Sequence, residues 1–224
     1  SWFGINKEWA IYISAIASLA LIWNMIQHAH RVEWLLNGLS VAVITWLLFF
    51  ILKKCDAVER GRMIVLMILT FSTVVFWALF AQSAASMTLF ADRVTDRALF
   101  GMDLTASQYG SFNAAFIILL APLFASIWIL LGRRGWEPST PVKFGLGIMF
   151  AGLGFGALML GVANTNDAGL VIGWWLVLAY LLHTMGELCL SPVGLSAVTK
   201  LSVPRIVGLM MGTWFLASAY SEYV

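Results

Sequence analysis

Residues 183–200 read HTMGELCLSPVGLSAVTK and continue the apolar run GWWLVLAYLL without a break. Glu187 thus places a carboxylate where its surroundings are otherwise oil-like. Moving an ionised group to a bilayer centre costs about 3 kcal/mol on insertion scales, so such residues face a bundle interior or water. Two roles fit: a functional group in a cavity, or a protonated or hydrogen-bonded strut between helices. His183, four residues earlier, shares its helical face. It reads as an interhelical hydrogen-bonder or as a modulator of the Glu187 charge; a zinc site would need a third protein ligand, which no helical spacing supplies. Ser191-Pro192, four residues later, removes a backbone donor, and Gly194 gives the chain room to bend or pack. That step is either the broken helix of a transporter site or an ordinary proline kink.

Other polar and aromatic residues belong to the same inquiry. Asn113, in QYGSFNAAF, is interhelical glue or a ligand contact, and Gln82, in FWALFAQSAAS, has similar standing. Trp77, Phe80 and Trp214 are candidates to line an apolar pocket, although most of the 11 tryptophans must be core or belt residues. The run GLGIMFAGLGFGALMLG holds Gly145, Gly147, Gly152, Gly154, Gly156 and Gly161, with Gly152 and Gly156 at GxxxG spacing, which predicts close helix packing. It is no phosphate loop, having neither a preceding strand nor a following lysine. Cys55 and Cys189 lie in separate regions without CxxC spacing, so no disulfide framework or metal site is expected.

These residues must be carried by membrane helices. Hydrophobic residues make up 61% of the chain and charged ones 11%, with a mean hydropathy of +0.90. The net charge of +2 and the lack of a basic patch exclude a nucleic-acid partner. A hydrocarbon core of about 30 Å needs about 20 apolar residues per helix. Runs of that kind cover 9–27, 34–52, 63–90, 108–131, 143–163, 169–190 and 206–223, predicting an all-α integral membrane fold of about seven spans. With the first helix starting inside, Lys7, Lys53, Lys54, Arg60, Arg62, Arg133, Arg134, Lys143, Lys200 and Arg205 fall inside. Arg31, Arg93 and Arg97 fall outside, the asymmetry expected of a multi-pass protein in a cell membrane. Every acid except Glu187 lies in a loop or near a helix end. The chain opens at Ser1 with neither a basic n-region nor a small-residue cleavage site, so a signal peptide is not expected and a fragment is.

Taken in order, FWALFAQ, LFADR, FNAAFIILLAPLFA, PSTPVKFGLG, GELCLSPVGLSAVTKL and GLMMGTWFLASA make a specific combination. Over nearly its whole length the chain resembles the proton-coupled oligopeptide transporters, a branch of the major facilitator superfamily. The resemblance implies that 1–55 is the extra helix pair bacterial members insert between their halves. Residues 56–224 would be helices seven to eleven of the carboxy-terminal bundle, with the amino-terminal half and the twelfth helix missing. It implies a symporter of di- and tripeptides in the bacterial inner membrane, working by alternating access, with protons as coupling ion and no cofactor. Its partners would be small peptides, membrane lipid and the missing amino-terminal half.

By the same resemblance Glu187 receives the peptide's amino group and Asn113 contacts the peptide. Ser191 and Trp214 line the central pocket, and Trp77, Phe80, Gln82 and Phe215 are pocket or gate candidates. A lone carboxylate in a low-dielectric cavity attracts an ammonium strongly, and protonation weakens that grip. Ala81 departs from the pattern, standing where many members carry a gating acid; either Asp92 takes part in a gate, closure rests on packing, or the coupling differs. Alternatives stay open: another solute such as nitrate on the same fold, a non-transporting membrane subunit, or an intramembrane enzyme using Ser191 or Ser196 with His183. The last lacks a GxSxG motif, GLSAV failing at its final position.

Overall fold

A computed structural model describes residues 7–99 and 101–223. The chain falls into two compact units, Ser1–Phe49 and Phe50–Val224. The division lies inside a helix, a few residues before the boundary expected at 55. The last turn of that helix belongs with the second unit: Leu52 O accepts from Arg60 at 3.2 Å and Lys54 O from Arg205 at 2.9 Å.

The first unit holds α1 (Lys7–Gln27) and most of α2 (Ala29–Lys54). In α1 the large apolar side chains, Ile11, Ile16, Leu19 and Trp23 among them, are exposed on every side, as suits a helix solvated by lipid.

The second unit holds α3 (Ala57–Ala81), α4 (Ser86–Arg93), α5 (Ala106–Tyr109), α6 (Ser111–Arg133), α7 (Thr140–Ala163), α8 (Gly173–Leu201) and α9 (Val207–Ser221). Local chemistry sets their ends. Asp56 caps α3 through a capping box with Glu59, accepting from its backbone N at 2.7 Å while Glu59 accepts from the Asp56 backbone N at 3.3 Å. After α6, Gly135 takes φ +70° and lets Trp136 N reach back to Leu131 O at 2.9 Å, so a Schellman turn closes the helix. Pro141 sits in the first turn of α7, where its missing N–H costs nothing.

Among the described residues, six helical segments are long and apolar enough to cross a membrane, α3 with α4 and α5 with α6 each counting as one. The seventh expected span is α9, of 15 residues. The span read as 63–90 is interrupted at residues 82–85, where Ser83 N bonds Phe80 O at 2.9 Å and Ala84 N bonds Ala81 O at 3.1 Å. α8 departs in the opposite sense: it runs through Pro192 to Leu201 without interruption. Of the two readings of Ser191-Pro192, the broken helix is not the one observed: the proline is held within a continuous helix.

Two pairs of two-residue strands tie the loops of this all-α bundle. β1 (Thr95–Asp96) runs parallel to β4 (Val171–Ile172), and β2 (Ala98–Leu99) antiparallel to β3 (Met102–Asp103). The first pairing, with Asn166 donating to Asp96 at 3.1 Å, joins two loops assigned to the outer face. Arg205, donating to Lys54 O and to Glu59 at 3.1 Å, joins two loops assigned to the inner face. Contacts between loops of like assignment agree with the alternation read from the Lys/Arg count.

α7 and α8 pack closely through glycines of the expected run, but not through its GxxxG pair, Gly152 and Gly156, which have open space where a side chain would begin. The residues in contact are Gly147, Gly154 and Gly161, seven apart, lying against Gly186 and Leu190, His183, and Trp175 with Val171 respectively. A repeat of seven keeps one seam facing a left-handed neighbour. No residue of α6 is buried.

Candidate functional site

Glu187 lies fourteen residues from each end of α8, since 187 − 173 and 201 − 187 are equal, and is half-buried. Its Oε2 accepts from Asn113 Nδ2 on α6 at 3.3 Å. The same amide nitrogen donates to Thr184 Oγ1 at 3.0 Å, and Thr184 donates to Tyr180 O at 2.8 Å. Each donor proton has one acceptor, so the chain Glu187–Asn113–Thr184 holds the carboxylate in place. Among the described residues no lysine or arginine pairs with Glu187. The site is therefore an oriented carboxyl group in the middle of a span, with no basic side chain paired to it among the described residues.

His183, on the neighbouring turn, does not join it. Its ring is fully buried, 6.0 Å from that of Phe80 and 5.0 Å from that of Phe155, and it packs on Gly154. Neither ring nitrogen makes a short, well-aligned hydrogen bond, although the backbone of Ala151 on α7 lies near enough to interact with the ring. The imidazole is thus an interhelical contact between α8 and α7, and no serine among the described residues reaches it as a hydrolytic dyad would need. The reason is angular: positions 183 and 187 are 40° apart around the helix, enough for one to face α7 and α3 while the other meets α6.

The remaining candidates separate. Trp77 and Phe80 stack edge to face at 5.2 Å beside Phe76, half-buried, on the α3 face that meets His183. Gln82 is exposed and accepts from Ser86 at 2.6 Å across the helix break, so it stands apart from Glu187. Trp214 lies under the bundle surface at 4% exposure, its ring against Gly194 and 6.1 Å from Phe144. It is packed core rather than an open pocket wall, because the missing side chain at Gly194 is the space its indole fills. Phe215 is 61% exposed. Asp92, considered for a gate, pairs with Arg97 at 2.8 Å.

Ser191 lines a cavity of about 700 Å³ between α6 and α8, closer to the basic face than Glu187. Two contributors to this region escaped the sequence reading. Thr184 is a buried hydroxyl three residues before Glu187, and its signal was that spacing. Lys143, counted as an inside-loop charge, is buried, pairs with Glu137 and lies 4.6 Å from the Trp128 ring centroid. No local signal distinguishes it from the other basic residues of that face. Outside the spans, the hydrogen bond from Lys143, and then its charge, hold the Glu137 carboxyl below its ordinary range.

Residues 8–224 match the model of the POT family. The chain belongs to the POT family. The peptide transporter YePEPT of Yersinia enterocolitica subsp. palearctica is 42% identical over 173 residues, which are 76% of this chain and 34% of that protein. Dipeptide and tripeptide permease A of Proteus mirabilis is 34% identical over 214 residues, 93% of this chain and 42% of the permease. Among solved structures, a mutant of peptide transporter POT in complex with alafosfalin matches with a TM-score of 0.72 at 34% identity. It covers 97% of this chain and 45% of that one. The chain thus spans less than half the length of each of these POT relatives. It is a multi-pass membrane protein with the helical architecture of POT transporters, and its family is one of transporters.

Proposed function

We propose that this chain forms the peptide-binding part of a secondary active symporter that moves di- and tripeptides across the cell membrane with protons. The observation that carries the reading is Glu187: a half-buried carboxylate at the centre of α8, oriented by Asn113 and without a basic partner among the described residues. An ammonium group such as a peptide's amino terminus supplies the missing charge. The names of the permease and peptide-transporter relatives support the same substrate class. Protonation of the carboxylate removes half of the ion pair and so links proton arrival to peptide release. No cofactor and no chemical step on the peptide are needed. Alternating access requires a second bundle facing Glu187, supplied by the rest of the transporter, and membrane lipid around both.

Proton-driven uptake of a labelled dipeptide into vesicles, by the complete protein and by Glu187→Gln, tests this. Uptake by the unsubstituted protein and its loss in the variant are expected. Normal uptake by Glu187→Gln refutes the role of the carboxylate, and no uptake by the unsubstituted protein refutes the substrate class.

A further inference from the structure

Lys143 is a buried cation that the Glu187 site does not use. It stands in the first turns of α7, at the basic face, yet its side chain is only 8% exposed. Its Nζ bonds Glu137 Oε1 at 2.5 Å and lies over the Trp128 ring. A buried ammonium is costly unless it is paired, and Glu137 provides the pair. The two partners are unlike: Glu137 comes from the α6–α7 loop and is 49% exposed, so the lysine is fixed and the glutamate is free to leave for water.

The cavity beside this pair has Glu137, Thr140, Lys143, Ser191, Ser196 and Lys200 as its polar lining. Two cations face one acid, and three hydroxyls stand among them. That donor set matches a carboxylate, which accepts several hydrogen bonds and donates none when ionised. Ser191, in the cavity lining, lies one turn along α8 from Glu187, towards the basic face.

The geometry points to a carboxylate-binding subsite at the basic face, where Lys143 and Lys200 receive the carboxyl end of a peptide leaving Glu187, displacing Glu137 as it arrives. The inference rests on the peptide-transport reading. Exchange of one carboxylate for another keeps Lys143 paired throughout, and the displaced Glu137 returns to water in which it is already half immersed. A zwitterionic peptide then meets a carboxylate at mid-span and cations further towards the basic face, Lys200 lying thirteen residues beyond Glu187 along α8, about 3.6 turns.

The test uses the full-length transporter in right-side-out and inside-out vesicles, with exchange of labelled dialanine competed by dialanine or by dialanine amide. Lys143→Gln is expected to raise the half-maximal concentration of dialanine at the basic face about tenfold, as loss of one charged contact does. The opposite face, and the amide at either face, stay within about twofold. Glu137→Gln removes the internal competitor and is expected to lower the same value several-fold for dialanine alone. Opposite shifts for one substrate do not arise from loss of folded protein, and Glu137→Gln alone decides the matter if Lys143→Gln fails to accumulate. Equal shifts for acid and amide, equal shifts at both faces, or no shift overturn the subsite. An effect confined to vesicles containing phosphatidylglycerol overturns it too, assigning the cavity to a lipid phosphate. Absence of dialanine exchange by the unsubstituted transporter is a separate outcome and sinks the transport reading itself.

Discussion

Asn113 and Glu187, 74 residues apart in the chain, are joined by a hydrogen bond of 3.3 Å from amide nitrogen to carboxylate. The same nitrogen is anchored on Thr184, so one side chain of α6 sets the direction of the acid on α8. Hydrogen bonds to charged groups contribute about 1.5–3 kcal/mol. Asn113→Ala should therefore raise the half-saturating dipeptide concentration at least about tenfold. The amount of folded protein should be unchanged, since Asn113 is only half-buried. Uptake kinetics in vesicles check this, and an unaltered half-saturation would mean that Glu187 needs no positioning.

The glycines of α7 should fall into two groups. A Cβ at Gly154 lands on the His183 ring and one at Gly161 on Trp175, whereas Gly152 and Gly156 have room. Overpacking costs about 1–3 kcal/mol. Gly154→Ala should lower the melting temperature of the purified protein and Gly152→Ala leave it alone. Equal effects would show that α7 and α8 do not meet along the seam of seven.

Trp214 and Phe215 are neighbours with opposite surroundings, one buried against Gly194 and the other exposed. Truncating a buried Trp to Ala costs about 3–5 kcal/mol, and a change at an exposed position about 0.5 kcal/mol or less. Trp214→Ala is expected to give poorly folded protein, while Phe215→Ala folds normally. Size-exclusion profiles of the two variants make the comparison.

Glu137 sets a pH dependence. Its folded-state pKa is depressed from the ordinary 4.5 by Lys143, so the stabilisation is fully present above that value and is lost as pH falls through the lowered one. The melting-temperature difference between the unsubstituted protein and Glu137→Gln should thus be constant from about pH 7 to about pH 5 and shrink below that. A difference that persists at strongly acid pH would mean the pair contributes through packing rather than charge.

Much of this was legible along the chain. Span number, alternation and the isolation of Glu187 depend on hydropathy over about 20 residues and on counting charges, both properties of the sequence in one dimension. Asn113 was singled out as glue or ligand contact, and it is placed where it can be both. Lys143 stands on the face expected, but its burial is not legible along the chain, because it depends on Glu137 and on Trp128 of another helix, neither of which local spacing connects to it.

By itself the sequence determined a membrane bundle of the POT family with one acid at mid-span, because a charge in an apolar run stands out wherever the helix turns. Only the tertiary structure decided which faces meet. Gly154 rather than Gly152 receives α8, His183 turns from Glu187 into an aromatic cage, Trp214 fills the space at Gly194, and α8 stays whole through Pro192. The physical reason is common to all four. In lipid a helix is apolar on every side, so hydrophobic periodicity does not mark the packed face, and steric fit with neighbouring helices selects it.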